Sequence, residues 1–257
     1  MASEHPALST RDLTVRFGGH VAVDAVTADF RPGTLTAIVG PNGAGKTTYF
    51  NLVSGQVAAT SGSVHLFGED VTRFGPSQRA RRGIGRAFQL TQLFPNLSVL
   101  ENVRLAVQSR ARAGMQLLSL CARHVELAEK AEHYLHRVAL DDRRDALAAS
   151  LSHGEQRKLE VAMLLALEPQ VMMFDEPTAG MSADEVPVVL DLIRQIRAQG
   201  DRTVLLVEHK LDVVRSLADR VLVLHEGRLV ADGTPAEAMS SPIVRAAYLG
   251  TAEGAHA

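Results

Sequence analysis

The residues best suited to chemistry form a glycine-rich segment, Gly40-Pro41-Asn42-Gly43-Ala44-Gly45-Lys46-Thr47. This segment fits the pattern GxxxxGK[ST], in which backbone N–H groups point at phosphate oxygens. In that pattern Lys46 contributes positive charge to the β- and γ-phosphates, and the Thr47 hydroxyl is a ligand for Mg²⁺. The alternative, a glycine-rich turn that only caps a helix, is weakened by the apolar strand pattern Leu35–Val39 directly before it. We predict an exposed loop whose nucleotide-binding residues are Gly40, Pro41, Asn42, Gly43, Ala44, Gly45, Lys46, Thr47 and Thr48.

The second group of candidates is the acidic pair Asp175-Glu176, at the end of the apolar run Val171–Phe174. A buried strand that ends in carboxylates places them at the edge of an open α/β sheet where ligands bind. We predict that Asp175 holds Mg²⁺, directly or through water, and that Glu176 orients and deprotonates an attacking water. The pair alone is a weak signal, because many strands end in an acidic turn. Together with the glycine-rich loop it indicates nucleotide hydrolysis.

The third candidate is a helix start in the segment Leu151-Ser152-His153-Gly154-Glu155-Gln156. Ser152 and Glu155 have the spacing of a capping box, so a helix is predicted to begin there. The helix N-terminus, the Ser152 hydroxyl and Gly154 together form an anion-binding site. Glu155 is interpreted as a cap, whereas the pattern assigns no role to His153.

The elements that must position these residues alternate short β-rich runs with helical patterns, which predicts parallel βαβ units. Strands are predicted at residues 35–39, 64–67, 171–174, 203–207, 221–224 and 229–231. Nearer the N-terminus, Leu13, Val15 and Phe17 alternate with polar residues before the turn Gly18-Gly19, which predicts half-buried antiparallel sheet.

The middle of the chain, from Ser98 to Leu147, has a helical pattern with predicted breaks at Gly114 and at Asp141-Asp142. Ser98 and Glu101 form a second capping-box pattern. The predicted fold class is therefore α/β, a phosphate-loop NTPase core with a mostly parallel sheet, an N-terminal antiparallel β subdomain and a helical insertion subdomain.

Composition excludes several classes of protein. Of 257 residues, 46% are hydrophobic and 22% charged, which excludes a disordered chain. The net charge of −2 gives no general attraction to nucleic acid, and the basic cluster 73–82 is interpreted as a solvated face. The single cysteine, Cys121, excludes a disulfide framework and favours a cytosolic compartment. We expect no secretory signal in residues 1–10 and no spanning helix, since the longest apolar stretches are too short.

The order of these segments resembles that of the ABC ATPases almost from end to end. Leu151–Glu155 is similar to the LSGGQ signature of that family, with His153 in place of a glycine and Glu155 in place of the glutamine. The resemblance implies that Ser152, His153, Gly154 and Glu155 face the ATP bound on an opposite subunit. Ser182, in the matching loop 179–182, stands where many relatives carry aspartate, so the contact implied there is weakened or different.

The resemblance also implies roles for three residues outside these segments. It implies that Phe17 stacks on adenine, that Gln89 enters the helical insertion as a Mg²⁺ ligand and catalytic residue, and that His209 senses the γ-phosphate. Each has an ordinary alternative: Phe17 as a core strand residue, Gln89 as a polar strand end, and His209 as a structural histidine. Only their joint order favours the functional roles.

Two sets of segments are similar to particular branches of the family. Residues 85–89, 93–103 and 247–250 are similar to the ATPases of branched-chain amino-acid importers. The signature segment, with Ala179-Gly180-Met181 and His225-Glu226-Gly227, is closer to the urea-importer branch. The resemblance thus implies the ATP-hydrolysing energy-coupling subunit of a solute importer for branched-chain amino acids or for urea and short amides.

The alternatives are an exporter subunit, such as one for lipopolysaccharide, and a soluble ABC protein of repair or translation. The soluble types usually carry two nucleotide domains or long coiled coils.

The same resemblance implies the cofactors and the assembly. ATP and Mg²⁺ are the expected cofactors, and an ATP-dependent homodimer, or a heterodimer with a related ATPase subunit, is the expected active form. Two integral membrane permease subunits and, indirectly, a periplasmic solute-binding protein complete the expected partners, with no nucleic acid. The expected location is cytoplasmic, peripheral on the cytoplasmic face of the inner membrane. Residues 1–257 are expected to form a single ABC ATPase domain, with 8–88 and 165–250 as the β-rich and core α/β parts and 89–160 as the helical subdomain.

Overall fold

The computed structural model of the protein describes residues 6–87, 93–111 and 120–240. Within these ranges the strands are β1 Leu8–Phe17, β2 His20–Phe30, β3 Leu35–Val39, β4 Ser61–Leu66, β5 Glu69–Asp70, β6 Ile84–Ala87, β7 Val171–Asp175, β8 Thr203–Val207, β9 Arg220–His225 and β10 Arg228–Gly233. The helices are α1 Lys46–Ser54, α2 Pro76–Arg81, α3 Val99–Arg110, α4 Leu120–Arg137, α5 His153–Ala166, α6 Val186–Ala198, α7 Leu211–Leu217 and α8 Pro235–Ser240.

The N-terminal strands form the predicted antiparallel sheet, in the order β2-β1-β4-β5. The β1–β2 hairpin turns at Gly18-Gly19, where Gly18 has a φ of +59° that favours glycine. The strand predicted at 64–67 is longer at its start, because β4 pairs with β1 from Ser61 onward, and it ends at Leu66. Phe67 follows with a φ of +49° and so leaves the extended conformation.

The second sheet has six strands in the order β10-β9-β3-β8-β7-β6. All of its neighbours pair in parallel except β10, which forms an antiparallel hairpin with β9. Strands β3, β7 and β8 are buried on both faces, which explains why each is a continuous apolar run. The predicted mostly parallel sheet is confirmed, and the strands at 35–39 and 203–207 have the predicted boundaries.

Three hydrophobic clusters cover the two faces of this sheet, the smallest of them between β3, β9, α7 and α8. Met172 and Phe174 of β7 belong to a cluster shared with helices α3 to α6, whereas Val171 and Met173 belong to a cluster shared with α1 and the antiparallel sheet. The strand that ends in Asp175 is therefore packed from both sides.

Most of the middle segment that the structure describes, residues 98–111 and 120–147, is helical, as predicted. The Glu101 N–H donates to Ser98 Oγ over 3.2 Å at the start of α3, while the Glu101 carboxylate pairs with Arg104. A 3₁₀ turn at Asp141–Arg143 confirms the predicted break there, and Gly114 lies outside the described residues.

The interpretation of residues 73–82 as a solvated face is wrong for Arg79. Its side chain is almost fully buried, and its Nη1 donates to the carbonyl oxygens of Leu52 and Val53, each at 2.6 Å. Its other nitrogens donate to the carbonyls of Phe74 and Thr72. The carbonyls of the last turn of a helix attract cations, so Arg79 acts as a cap for α1. Burial lowers the pKa of Arg79 to about 10.

Replacement of Arg79 by methionine is expected to lower the free energy of unfolding by about 3 kcal/mol, because the carbonyls around it lose a charged donor. Urea unfolding followed by circular dichroism measures the change. The control is Arg81→Met on the same helix, where the side chain is exposed and an effect within about 0.5 kcal/mol is expected. Equal losses in the two variants would show that Arg79 does not support α1.

Candidate nucleotide-binding site

The glycine-rich loop connects β3, in the interior of the parallel sheet, to the first turn of α1. Gly40, Gly43 and Gly45 all have positive φ angles, of +154°, +78° and +93°. A side chain at Gly40 or Gly45 would also overlap a backbone oxygen, that of Leu224 or of Ala22. The loop therefore requires glycine at two of its consensus positions for both conformational and steric reasons.

The loop is exposed at Asn42, Gly43 and Thr47, but the expectation of an exposed loop is wrong for Lys46. That side chain is only 5% exposed, and its Nζ donates to the carbonyls of Gly40 and Pro41 at 2.8 and 2.9 Å. Desolvation lowers the pKa of Lys46, while Glu176 and Asp175 act in the opposite direction. A buried ammonium held by two loop carbonyls is a preorganised positive charge beneath the surface where phosphate is predicted to bind.

One pocket of about 440 Å³ brings together most of the residues predicted from the sequence. Phe17, which is 52% exposed at the end of β1, forms part of its wall and does not lie in the core. Glu176 and His209 line the same pocket, and His209 Nε2 lies 2.5 Å from Glu176 Oε1. The remaining lining residues are His20, Ala22, Asn42, Gly43, Ala44, Gly45, Lys46, Thr47 and Thr48.

The local backbone aims Glu176 and His209 at each other. Glu176 has a left-handed φ of +49°, directly after β7, and its N–H donates to the Val207 carbonyl. Buried Glu208 accepts the N–H of His209 over 3.0 Å and the Thr178 hydroxyl over 3.0 Å, which ties the segment after β8 to the segment after β7. The contact between Glu176 and His209 thus rests on two fixed loops.

Asp175 lies at the edge of this site, with its side chain 5% exposed. Its Oδ2 accepts a hydrogen bond from Arg86 Nη2 over 2.5 Å, and its Oδ1 has no donor among the described residues. A carboxylate oxygen and the exposed Thr47 hydroxyl are ligands suited to Mg²⁺, which takes few protein ligands beside nucleotide phosphates. The residues present therefore fit the cation. Gln89, the third predicted ligand, lies outside the described residues.

The predicted helix start at Ser152 is confirmed as a capping box. Ser152 Oγ accepts the Glu155 N–H, and Glu155 Oε2 accepts the Ser152 N–H over 2.9 Å. The pKa of Glu155 lies below its usual range, mainly because the Ser152 N–H donates to the carboxylate. The ion pair with Arg143 lowers the pKa further. His153 is exposed, and none of Ser152, His153, Gly154 and Glu155 lines the pocket around Lys46. Their role toward a second subunit stays a prediction.

The anion site at this helix start is occupied by a carboxylate of the same chain. Glu185 Oε1 accepts the Gly154 N–H over 3.0 Å, and Glu185 Oε2 accepts the hydroxyl and the N–H of Ser182. The backbone donors of Gly154 and Ser182 hold the pKa of Glu185 below its usual value. The contact between Ser182 and Glu185 could have been predicted, because their spacing in the sequence is that of a capping box. Nothing near Gly154 in the sequence indicates that Glu185 accepts its N–H.

The sheet, the glycine-rich loop and the carboxylates at the end of β7 define a phosphate-loop NTPase fold. Residues 23–179 match the family model described as ABC transporter, and residues 228–254 match that of the branched-chain amino acid ATP-binding cassette transporter. The chain belongs to the ABC transporter family.

Individual relatives cover nearly the whole chain. It is 34% identical over 252 residues to LivG of Escherichia coli K12, a high-affinity branched-chain amino acid transport ATP-binding protein, covering 96% of this chain and 99% of that one. It is 36% identical over 252 residues to BraF of Pseudomonas aeruginosa, which has the same description and the same coverage. The crystal structure of the ADP conformation of MJ1267, an ATP-binding cassette of an ABC transporter, superposes with a TM-score of 0.81 at 28% identity, covering 95% of this chain and 98% of that one.

In residues 6–87, 93–111 and 120–240, no helix combines the length and the apolar character needed to cross a bilayer.

Proposed function

We propose that this protein is the ATP-hydrolysing, energy-coupling subunit of an ABC importer. The observation that carries the proposal is the convergence of Lys46, Glu176 and His209 on one pocket. A buried cation and a carboxylate around a glycine-rich loop are groups that support phosphoryl transfer to water, and the histidine holds that carboxylate. Residues 1–257 are proposed to form one ATPase domain with the subdivision expected from the sequence.

Each side chain has a proposed part in hydrolysis. Backbone N–H groups of Gly40–Thr48, except Pro41, which has none, and the Lys46 ammonium hold the phosphates, and exposed Phe17 offers a ring for adenine. Thr47 and Asp175 would hold the Mg²⁺, which would neutralise charge on the phosphates when bound. Glu176 accepts the proton of the attacking water, and His209 fixes the Glu176 carboxylate through their 2.5 Å contact.

A second copy, or a related ATPase subunit, is proposed to complete the site. The N-terminus of α5, with Ser152 and Gly154, would supply donors to the γ-phosphate bound on the opposite chain. Since Glu185 accepts the Gly154 N–H in the single chain, that hydrogen bond must open before a phosphate takes its place. Closing and reopening of this dimer is the proposed source of motion for transport.

The proposed membrane partners are two permease subunits, with a periplasmic solute-binding protein acting indirectly, and the proposed location is the cytoplasmic face of the inner membrane. Branched-chain amino acids are the proposed solute. This choice is supported by 34–36% identity to LivG and BraF and by the match at residues 228–254. Urea and short amides remain the second candidate, supported by the signature segment with His153.

Uptake assays in the native cell test this proposal. Deletion of this chain is expected to abolish most high-affinity uptake of radiolabelled leucine, and the wild-type chain is expected to restore it. A chain carrying Glu176→Gln is expected not to restore uptake, because transport requires hydrolysis. Loss of urea uptake with intact leucine uptake would assign the second solute class, and unchanged uptake of both would contradict the importer function.

A further inference from the structure

The Arg86 side chain is buried against the acidic end of β7. Its Nη2 donates to Asp175 Oδ2 over 2.5 Å, and the two side chains are only 8% and 5% exposed. Burial lowers the pKa of Arg86, and the hydrogen bond and charge of Asp175 oppose that shift. The pair is therefore an ion pair shielded from water, in which loss of one partner leaves the other charge uncompensated.

The other arm of the same guanidinium holds the helix that follows the glycine-rich loop. Nη1 donates to Asn51 Oδ1 at 2.7 Å, to Ser54 Oγ at 2.9 Å and to Gln56 Oε1 at 3.1 Å. The guanidinium also lies 5.5 Å from the centre of the Phe50 ring. Because the donors of a guanidinium form a rigid planar fork, these contacts fix the direction in which Nη2 points.

The strand register explains why Arg86 reaches Asp175. Arg86 of β6 pairs in parallel with Met173 of β7, so Asp175 is the next residue on the same face of the sheet. The hydrogen bond to Arg86 uses Oδ2 of this carboxylate. Oδ1 is left without a donor among the described residues and is available to a cation.

We propose that Arg86 is a positioning residue for the Mg²⁺ site of the proposed ATPase. It holds the Asp175 carboxylate by one oxygen, in a fixed relation to α1 and the glycine-rich loop, and leaves the other oxygen for the cation. This role rests on the proposed function, since the cation arrives with the nucleotide. Partners that hold a metal-ligating carboxylate in place typically contribute 10- to 100-fold to metal affinity.

The direction of the effect separates this role from simple electrostatics. A positive charge next to a divalent cation repels it, so removing that charge would by itself tighten metal binding. Removing a positioning group has the opposite result, because the carboxylate is free to turn away. A weaker affinity for Mg²⁺ in the variant is therefore specific to positioning.

The experiment is a Mg²⁺ titration of the full-length chain with a slowly hydrolysed fluorescent ATP analogue. In Arg86→Met, the Mg²⁺ concentration that gives half-maximal enhancement of nucleotide binding is expected to rise about tenfold or more. Nucleotide affinity in EDTA is expected to stay within about threefold of wild type, because Lys46 and the loop are intact. The control is Arg82→Met, an arginine before β6 that pairs with Glu69 in a partly exposed bridge, where wild-type titrations are expected.

A double substitution keeps the test decisive even where Arg86→Met does not fold. Arg86→Met combined with Asp175→Asn leaves no buried charge unpaired, which favours folding. If Arg86 acts through Asp175, the double variant is expected to match Asp175→Asn in its Mg²⁺ titration within about twofold. A further tenfold weakening would overturn the proposal.

The remaining outcomes separate this proposal from the proposed function. An unchanged or tighter Mg²⁺ response in Arg86→Met, or an equal loss of affinity in EDTA, overturns the positioning role while leaving the ATPase intact. A wild-type chain whose nucleotide affinity does not respond to Mg²⁺ overturns the metal site and, with it, the role of Arg86.

Discussion

Replacement of Glu176 by glutamine is expected to stop ATP hydrolysis while ATP still binds. Glutamine keeps the size and hydrogen-bonding capacity of the side chain but does not accept a proton, so kcat is expected to fall about 10²- to 10⁴-fold. Unhydrolysed ATP is then expected to hold two chains together between Gly40–Thr48 of one and Ser152–Gly154 of the other. Phosphate release measures hydrolysis, and size-exclusion chromatography with and without Mg-ATP measures the dimer.

Glu226→Gln provides a matched control for this variant. Glu226 also follows a strand, β9, with a left-handed φ of +48°, but it is exposed and does not line the pocket. It is expected to keep wild-type hydrolysis and to remain monomeric. Asp175→Asn is expected to differ from both, because it weakens the Mg²⁺-dependent part of ATP binding itself. Hydrolysis at the wild-type rate in Glu176→Gln would remove Glu176 as the base, and a monomer at saturating ATP would contradict the shared site for the isolated subunit.

Replacement of Lys46 by alanine is expected to weaken ATP binding about 100-fold or more, equivalent to roughly 2.7 kcal/mol. The reason is the loss of a preorganised charge beneath the phosphates, since the ammonium already lies in place on the Gly40 and Pro41 carbonyls. Equilibrium titration with a fluorescent ATP analogue measures the affinity.

Because Lys46 is buried, its removal also takes a charged donor away from those two carbonyls, and some loss of stability accompanies the loss of binding. Urea unfolding of the same variant therefore accompanies the titration. Lys130→Ala, which removes an exposed lysine from α4, is the control for both measurements and is expected to resemble wild type. Near-normal ATP affinity in a folded Lys46→Ala chain would contradict the assignment of the loop.

The strands and the loop were predictable because their signals are local. Strands β3 and β8 are buried on both faces, so each is a continuous apolar run bounded by turn residues. The capping box at Ser152 and Glu155 depends on two residues three positions apart, and it formed as the spacing indicated. Positive φ angles at Gly40, Gly43 and Gly45 follow from the same kind of local constraint.

The contacts that hold the site together were not predictable, because each depends on residues that meet only after folding. Arg86 bonds Asn51 and Asp175, which are 35 and 89 positions away in the chain. A basic side chain in a charged segment is usually solvated, and nothing near Arg79 in the sequence indicates that the end of α1 covers it. Glu185 reaches Gly154 across 31 positions.

The exposure of individual side chains was also not predictable from the sequence pattern. Phe17 continues the apolar alternation of Leu13 and Val15, which favours a core position when the residue is considered alone. The strand ends at Phe17, and the ring is half exposed on the pocket wall. Lys46 differs in the opposite direction. Its side chain was expected to be exposed in a surface loop, but it is buried beneath the backbone of that loop.

If Glu176 has the proposed catalytic role, its left-handed backbone sets the requirements of catalysis against those of folding at one position. A residue with a side chain costs about 1 kcal/mol or more at a φ of +49°, and glycine would adopt the same conformation without that cost. The chain thus keeps a conformationally unfavourable residue where only its carboxylate serves the proposed chemistry. Selection for thermal tolerance alone would favour glycine there, and selection for turnover would restore glutamate, so position 176 is a site of stability–activity trade-off.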